Sequence, residues 1–120
     1  MDIVDVAALL DSHPQGSFLS LCDFNEHSFG VCDITGESPV WEMHPDTDEF
    51  FFILEGVFEV TLMTTEGATH HAAQAGQVFV VPKNIWHKPA APAGCRFMHF
   101  TPGESLHSDA DNPLEDTNSP

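Results

Sequence analysis

Short apolar runs alternate with turn-forming residues along most of this chain, and this spacing indicates the class of fold. The runs FLSLC, FFFIL and VFVV are separated by segments rich in Gly, Pro and Asp, and a spacing of roughly 8 to 12 residues between strands is typical of sandwiches and barrels. Phe, Val and Ile favour the pleated surface of a sheet. We therefore expect an all-β fold, a small antiparallel sandwich or barrel whose closure protects the strand edges.

The two ends of the chain differ from this pattern. Residues 2–11 have helical spacing of apolar side chains, and Asp2 is placed to cap a short N-terminal helix. Residues 107–120 are acidic and contain one large apolar residue, Leu114. We predict a single domain over residues 1–103 and a solvated, disordered tail over residues 104–120, in which His107 is solvated.

The charge balance limits the classes of partner. The 120 residues include 3 Lys and Arg against 19 Asp and Glu, for a formal charge of −16. Such a protein repels nucleic acid phosphates and anionic lipid headgroups, so we expect neither partner. The three cysteines show no C-x-x-C spacing, and neither a signal segment nor a membrane-length apolar run is present. These features predict a cytoplasmic protein with reduced thiols.

The stretch WEMHPDTDEFFFILEG, residues 41–56, places carboxylates and a histidine directly before an apolar strand. Because strand residues alternate between faces, Glu42 and His44 share one face. If Glu49 points to the interior as well, buried carboxylates meet a histidine. Buried carboxylates are costly unless a cation offsets their desolvation, so the pattern favours a metal site.

The same alternation predicts an apolar outer face. With Glu49 inside, every second residue of the following strand lies outside and needs a cover. A second copy of the chain would provide one, so we predict a homodimer, although the N-terminal helix is an alternative cover. The residues on this outer face are Phe50, Phe52 and Leu54.

Two spaced motifs make the chain resemble the cupin superfamily. The first covers residues 36–56 and the second residues 76–91, and their order and internal spacing both fit. The matching residues are Gly36, His44, Glu49 and Gly56 in the first motif and Gly76, Pro82 and His87 in the second. The motifs expect His at position 42, Gly at position 84 and Asn at position 91, where this chain has Glu42, Asn84 and Ala91.

The resemblance implies a small antiparallel jelly-roll barrel that holds one divalent metal per chain. The implied ligands are Glu42, His44, Glu49 and His87. Two carboxylates beside two imidazoles favour Mn or Fe, with Zn or Ni as further candidates. On a six-coordinate ion these ligands leave two positions open, whereas tetrahedral Zn would be closed and structural. Glu42 is alternatively a base beside the metal or points away from it.

The resemblance also implies a range of functions. The leading one is a metalloenzyme acting on a small oxygenated molecule, including carboxylates, as a dioxygenase, decarboxylase, isomerase or lyase. The alternatives are a non-catalytic metal-binding or small-molecule-binding module and a structural dimer with a vestigial site. Glu42 or His99 would move a proton, although His99 on the outer face is an equal alternative. The chain has no Tyr, so a phenolic acid or base is excluded.

Substrate contacts are the least constrained part of the prediction. Phe51 and Phe97 are candidates for the cavity wall. The three basic residues of the chain, Lys83, Lys88 and Arg96, lie close to His87 in sequence. Arg96 is the candidate for binding an anionic substrate group, and a solvated surface charge is the alternative.

Overall fold

The computed structural model describes residues 1–116 and confirms an all-β jelly-roll barrel with one short N-terminal helix. Within these residues a single antiparallel sheet of eight strands curls on itself, and no helix is long and apolar enough to cross a bilayer. The elements are α1 (Val6–Asp11), β1 (Phe18–Phe24), β2 (His27–Glu37), β3 (Trp41–Met43), β4 (Glu49–Thr64), β5 (Gly67–Gln74), β6 (Val78–Val81), β7 (Trp86–Phe100), β8 (Leu106–Ser108) and a 3-10 turn (Pro113–Glu115).

Two long strands organise the sheet. Strand β7 pairs with β2, β3 and β4, and strand β4 pairs with β5, β6 and β7. The path β1-β2-β7-β3-β8 completes the sheet. Because β4 and β7 each contact three neighbours, they place the residues of both motifs in one interior.

The predicted alternation along β4 is confirmed. Glu49, Phe51 and Ile53 are buried, while the residues between them are only partly buried. Burial of one Phe side chain contributes about 1.5–3 kcal/mol to folding. The core around them consists of Cys32, Phe51, Ile53, Phe58, Val60, Ala73, Val81, Ala91, Cys95 and Phe97.

The N-terminal helix is shorter than predicted. It begins at Val6 rather than near Asp2, because the carboxylate of Asp5 accepts a hydrogen bond from the backbone N–H of Ala8 and caps it. On the outer face of β4, Leu54 shares a crevice with Val6 and Leu10 of this helix. The helix therefore provides part of the predicted cover, and the homodimer stays a prediction.

Strand β4 bends sharply near its middle. Glu55 and Gly56 are typical of a tight turn in sequence, but β4 runs through them with an irregular register against β7. Gly56 has a φ of +78°, and Gly94 in β7 has a φ of +92°. A Cβ on Gly56 would lie 2.3 Å from the carbonyl oxygen of Gly94. Glycine thus lets two long strands bend together at close approach.

The C-terminal boundary also differs from the prediction. Residues 104–120 were expected to form a tail, but Leu106–Ser108 form β8, which pairs with β3. A strand edge offers unpaired backbone groups, and β8 satisfies those of β3. The domain therefore extends beyond residue 103. The rest of the predicted tail, residues 117–120, lies outside the described residues.

Substituting Gly56 by Ala tests the close approach. A non-glycine residue at positive φ costs about 1–2 kcal/mol, and the clash with the Gly94 carbonyl should cost about 1–3 kcal/mol more. Gly16 is a matched control, because it has a φ of +86° and a Cβ there would meet nothing within 4 Å beyond its chain neighbours. Urea unfolding should show a clearly larger decrease in the free energy of unfolding for Gly56→Ala than for Gly16→Ala. Equal losses would contradict the close approach.

Candidate metal centre

Backbone contacts bring the two motifs together. Glu42 in β3 is the register partner of His87 in β7. The backbone N–H of Asn84 donates to the carbonyl of His44 at 2.9 Å, and the backbone N–H of Lys83 donates to the carboxylate of Asp48 at 2.9 Å. Asn84 has a φ of +66°, so Asn adopts the turn conformation for which the motif has Gly.

Four side chains converge inside the barrel. The Nε2 atom of His44 lies 3.2 Å from Oε1 of Glu42 and 3.1 Å from Oε1 of Glu49. The Nε2 atom of His87 lies 3.5 Å and 3.1 Å from the same two oxygens. His44, Glu49 and His87 are buried, and the side chain of Glu42 is 31% exposed. One oxygen of each carboxylate therefore faces both imidazoles.

The second oxygen of each carboxylate has its own partners. Oε2 of Glu49 accepts a hydrogen bond from the hydroxyl of Thr101 at 2.6 Å and lies 3.5 Å from Nδ1 of His99. Oε2 of Glu42 lies 3.0 Å from Nε2 of His107. These contacts fix the orientation of both carboxylates and keep their first oxygens aimed at the centre.

The orientation of His44 is also fixed from outside. Its Nδ1 atom lies 3.2 Å from the carbonyl oxygen of Glu104 and 3.1 Å from the hydroxyl of Ser105. A carbonyl accepts only, so Nδ1–H is the donor in this contact. In the neutral ring this leaves the Nε2 lone pair directed at the two carboxylates, as a metal ligand requires.

The carboxylates and imidazoles shift one another's protonation. Burial favours neutral Glu42, but hydrogen bonds from His44 and His87 outweigh it and lower its pKa to about 2. Burial likewise favours neutral imidazoles, but Glu42 and Glu49 raise the pKa of His44 to about 10 and that of His87 to about 9. The pKa of Glu49 is also lowered, against burial, by its hydrogen bonds to His44 and His87. Without metal, protons on the imidazoles therefore balance the carboxylates.

The donor set fits a divalent metal. One ligand atom from each of Glu42, His44, Glu49 and His87 lies within 4.8 Å of the others. Two carboxylates and two imidazoles suit a transition metal such as Mn, Fe or Zn, and a dication would replace the two protons without changing the charge of the centre. The structure thus brings together the four side chains that the motifs predicted as ligands.

The centre opens into a cavity of about 480 Å³, a volume typical of sites for small molecules. Phe51, Phe97 and His99 line it, as predicted, together with Phe58. The Nδ1 edge of His99 faces Glu49, and its Nε2 lies against Gly30, where a Cβ would approach to 2.5 Å. His99 was expected either at the cavity or on the outer face of the barrel, and in the structure it lies at the cavity.

Arg96 is not at the cavity, contrary to the prediction. Its Nε donates to Asp33 at 2.9 Å, its Nη2 pairs with Asp11 of α1, and Glu55 lies 3.4 Å away. The reason is its register, since Arg96 in β7 pairs with Asp33 in β2, one residue out of phase with cavity-lining Phe97. Arg96 fastens the helix to the outer face and does not bind a ligand in the cavity.

Sequence reasoning missed three polar residues that hold the ligands. Thr101 contacts Glu49, Ser105 contacts His44 and His107 contacts Glu42. The acidic composition after Pro102 indicated a solvated tail and concealed a short strand. The available signal was the alternation of Ser105 and His107 around Leu106, which places both polar residues on one face of a strand.

Comparison with known proteins identifies the family. Residues 31–101, more than half of the chain, match the family described as Cupin domain. The chain belongs to this family, as its two motifs predicted.

Individual relatives agree with this assignment. The uncharacterized protein YdbB of Bacillus subtilis (strain 168) is 32% identical over 69 residues, which span 58% of each protein. A cupin-2 domain containing protein from Shewanella frigidimarina NCIMB 400 has a TM-score of 0.74 at 28% identity, over 83% of this chain and 94% of that one. Hydroquinone 1,2-dioxygenase from Sphingomonas sp. TTNP3 has a TM-score of 0.65 over 83% and 79% of the two chains, and its 14% identity shows the fold alone.

Metal binding at pH 7 should release about two protons per ion, because a metal displaces protons from both imidazoles. The raised pKa values of His44 and His87 mean that the apparent affinity rises with pH up to about 9 to 10. Calorimetric titration with Mn²⁺ in buffers of different ionisation enthalpy measures this release. Binding without proton release would contradict the protonation of the metal-free centre.

Substituting His107 by Ala tests the contribution of the C-terminal strand. Loss of a group that orients a ligand typically weakens metal affinity about 10- to 100-fold, and we expect that range for Mn²⁺. His70→Ala is the matched control, because His70 is exposed and contacts Thr61, away from the centre. Equal affinities for the two variants in competition with a chelating dye would show that His107 does not support the centre.

Proposed function

We propose that this cupin is a metalloenzyme that binds Mn or Fe at Glu42, His44, Glu49 and His87 and acts on a small oxygenated molecule. The observation that carries the proposal is the cluster of two imidazoles and two carboxylates, three of them buried, at a cavity of about 480 Å³. A purely structural metal would not need such a cavity. When bound, the metal supplies Lewis-acid polarisation of a substrate oxygen or a site for O₂ chemistry.

The two further imidazoles at the cavity have different roles in this proposal. Nδ1 of His99 lies at the cavity, 3.5 Å from Oε2 of Glu49, and its Nε2 has no hydrogen-bond partner among residues 1–116. His99 can therefore exchange a proton at Nδ1 with a substrate in the cavity. His107 lies at the exposed rim and holds Glu42 in place.

The apolar walls have a separate role. Phe51, Phe58 and Phe97 pack with ring centroids 5.0 to 5.6 Å apart and form the inner wall of the cavity. They would exclude water from a ligand bound in the cavity and strengthen its electrostatic interactions with the centre. All four predicted reaction classes stay within the proposal, since a hydroquinone 1,2-dioxygenase with bound 4-hydroxybenzoate and an oxalate decarboxylase both have similar folds.

A turnover screen tests this proposal. Protein loaded with Fe²⁺ or Mn²⁺ is incubated with hydroxylated aromatics, enols and small carboxylic acids, while O₂ uptake and product masses are recorded. We expect consumption of at least one substrate, and we expect His99→Ala to lose most of this turnover while it keeps its metal.

The control variant for the screen is His71→Ala, which alters an exposed histidine in contact with Thr69. Substrates that bind but return unchanged with both metals would instead identify a binding module, which is the main alternative. Turnover unaffected by His99→Ala would remove the proton role of His99 but leave the enzyme assignment in place.

A further inference from the structure

The cavity contains no cationic side chain of Lys or Arg. The chain has three such residues in total, Lys83, Lys88 and Arg96, all within the described part of the chain. None of them lines the cavity. Because charge-assisted hydrogen bonds from Arg or Lys are the strong side-chain contacts for carboxylate and phosphate groups, this absence restricts the ligand.

Each of these cations lies elsewhere on the barrel. Arg96 pairs with Asp11 and Asp33 on the outer face. The Nζ atom of Lys88 lies 3.9 Å from Glu37 and 5.6 Å from the ring centre of Trp41. Lys83 is exposed in the turn before Asn84. None of the three side chains therefore supplies a positive charge at the cavity.

A divalent ion would leave the centre without net charge. Glu42 and Glu49 contribute two negative charges, which the ion held by the four side chains would balance. His99 and His107 each face a carboxylate oxygen of these same residues, at 3.5 Å and 3.0 Å. A dianionic ligand would therefore add uncompensated negative charge in a partly desolvated site of a chain with a formal charge of −16.

The remaining wall is mostly apolar. Beyond the metal ligands, the polar groups at the cavity are hydroxyls and imidazoles, and the other side chains are hydrocarbon. The apolar members are Phe18, Ile34, Val40, Phe51, Phe58, Pro89 and Phe97. Such a wall stabilises a flat or apolar molecular body by burying it from water.

We infer that the cavity takes a small molecule with an apolar, preferably aromatic body and an oxygen-bearing head that carries at most one negative charge. Compact dianions such as oxalate are disfavoured. This inference rests on the proposed metal function and specifies its substrate class, because the charge count includes the metal.

Ligand binding to the Mn²⁺-loaded protein tests the inference without turnover. The probes are benzohydroxamate, acetohydroxamate and oxalate, which all chelate through two oxygens but differ in charge and body. Each Kd, measured by calorimetry, is divided by the Kd of the same probe for free Mn²⁺ in the same buffer. A smaller ratio means a stronger preference for the protein site, and we expect the ratio for benzohydroxamate to be at least tenfold lower than that for oxalate and at least threefold lower than that for acetohydroxamate. A normalised preference for oxalate would overturn the inference.

A charge variant separates electrostatics from shape. Val40→Lys adds a cation at the cavity, and Val78→Lys adds the same charge on exposed β6. We expect Val40→Lys to reduce the normalised preference for benzohydroxamate over oxalate at least threefold. Val78→Lys should leave this preference unchanged. An unchanged preference in Val40→Lys would contradict the charge argument, and Ser38→Lys, also at the cavity, repeats the test if Val40→Lys does not fold.

Elemental analysis of the loaded protein distinguishes a wrong substrate class from a wrong proposed function. If Mn²⁺ is retained but oxalate is preferred, only the substrate class is wrong. If no divalent metal is retained after loading and dialysis, the proposed function fails, and the substrate class fails with it.

Discussion

The enclosure of two carboxylates by apolar strands, complete for Glu49 and partial for Glu42, is the constraint on which the rest of this structure depends. Glu42 and Glu49 can be ionised inside the barrel only because each faces two imidazoles, as protonated partners without metal or as fellow ligands with one. The pairing of β3 with β7 and the contacts between the two turns keep these four side chains within reach of one another. A displaced strand would leave a buried charge without compensation.

The ligands depend in turn on the residues behind them. Thr101, Ser105 and His107 all come from the last described part of the chain, and each contacts a different ligand. Because β8 pairs with β3, the strand that carries Glu42 is held from both sides. The centre is thus completed by a segment far from both motifs, and its formation requires most of the chain to be folded.

Part of the centre and the division of β4 into two faces could be predicted from the sequence. Strand alternation placed Glu49, Phe51 and Ile53 on one face, and the resemblance to the two cupin motifs implied the four side chains of the centre. Three features needed tertiary information. The close approach of Gly56 to Gly94, the register that turns Arg96 outward and the pairing of β8 each depend on contacts between residues distant in sequence. Local propensity and composition carry no information about such partners.

Elemental analysis by inductively coupled plasma mass spectrometry tests the central claim most directly. The untagged protein is compared with a His44→Ala/His87→Ala variant and with a His70→Ala/His71→Ala control that alters two exposed histidines. Our account predicts about one divalent metal per chain in the protein and the control, with Mn or Fe favoured, and loss of the metal in the first variant. Metal content no higher than that of the first variant, even after reconstitution with Mn²⁺, Fe²⁺ or Zn²⁺, would contradict it.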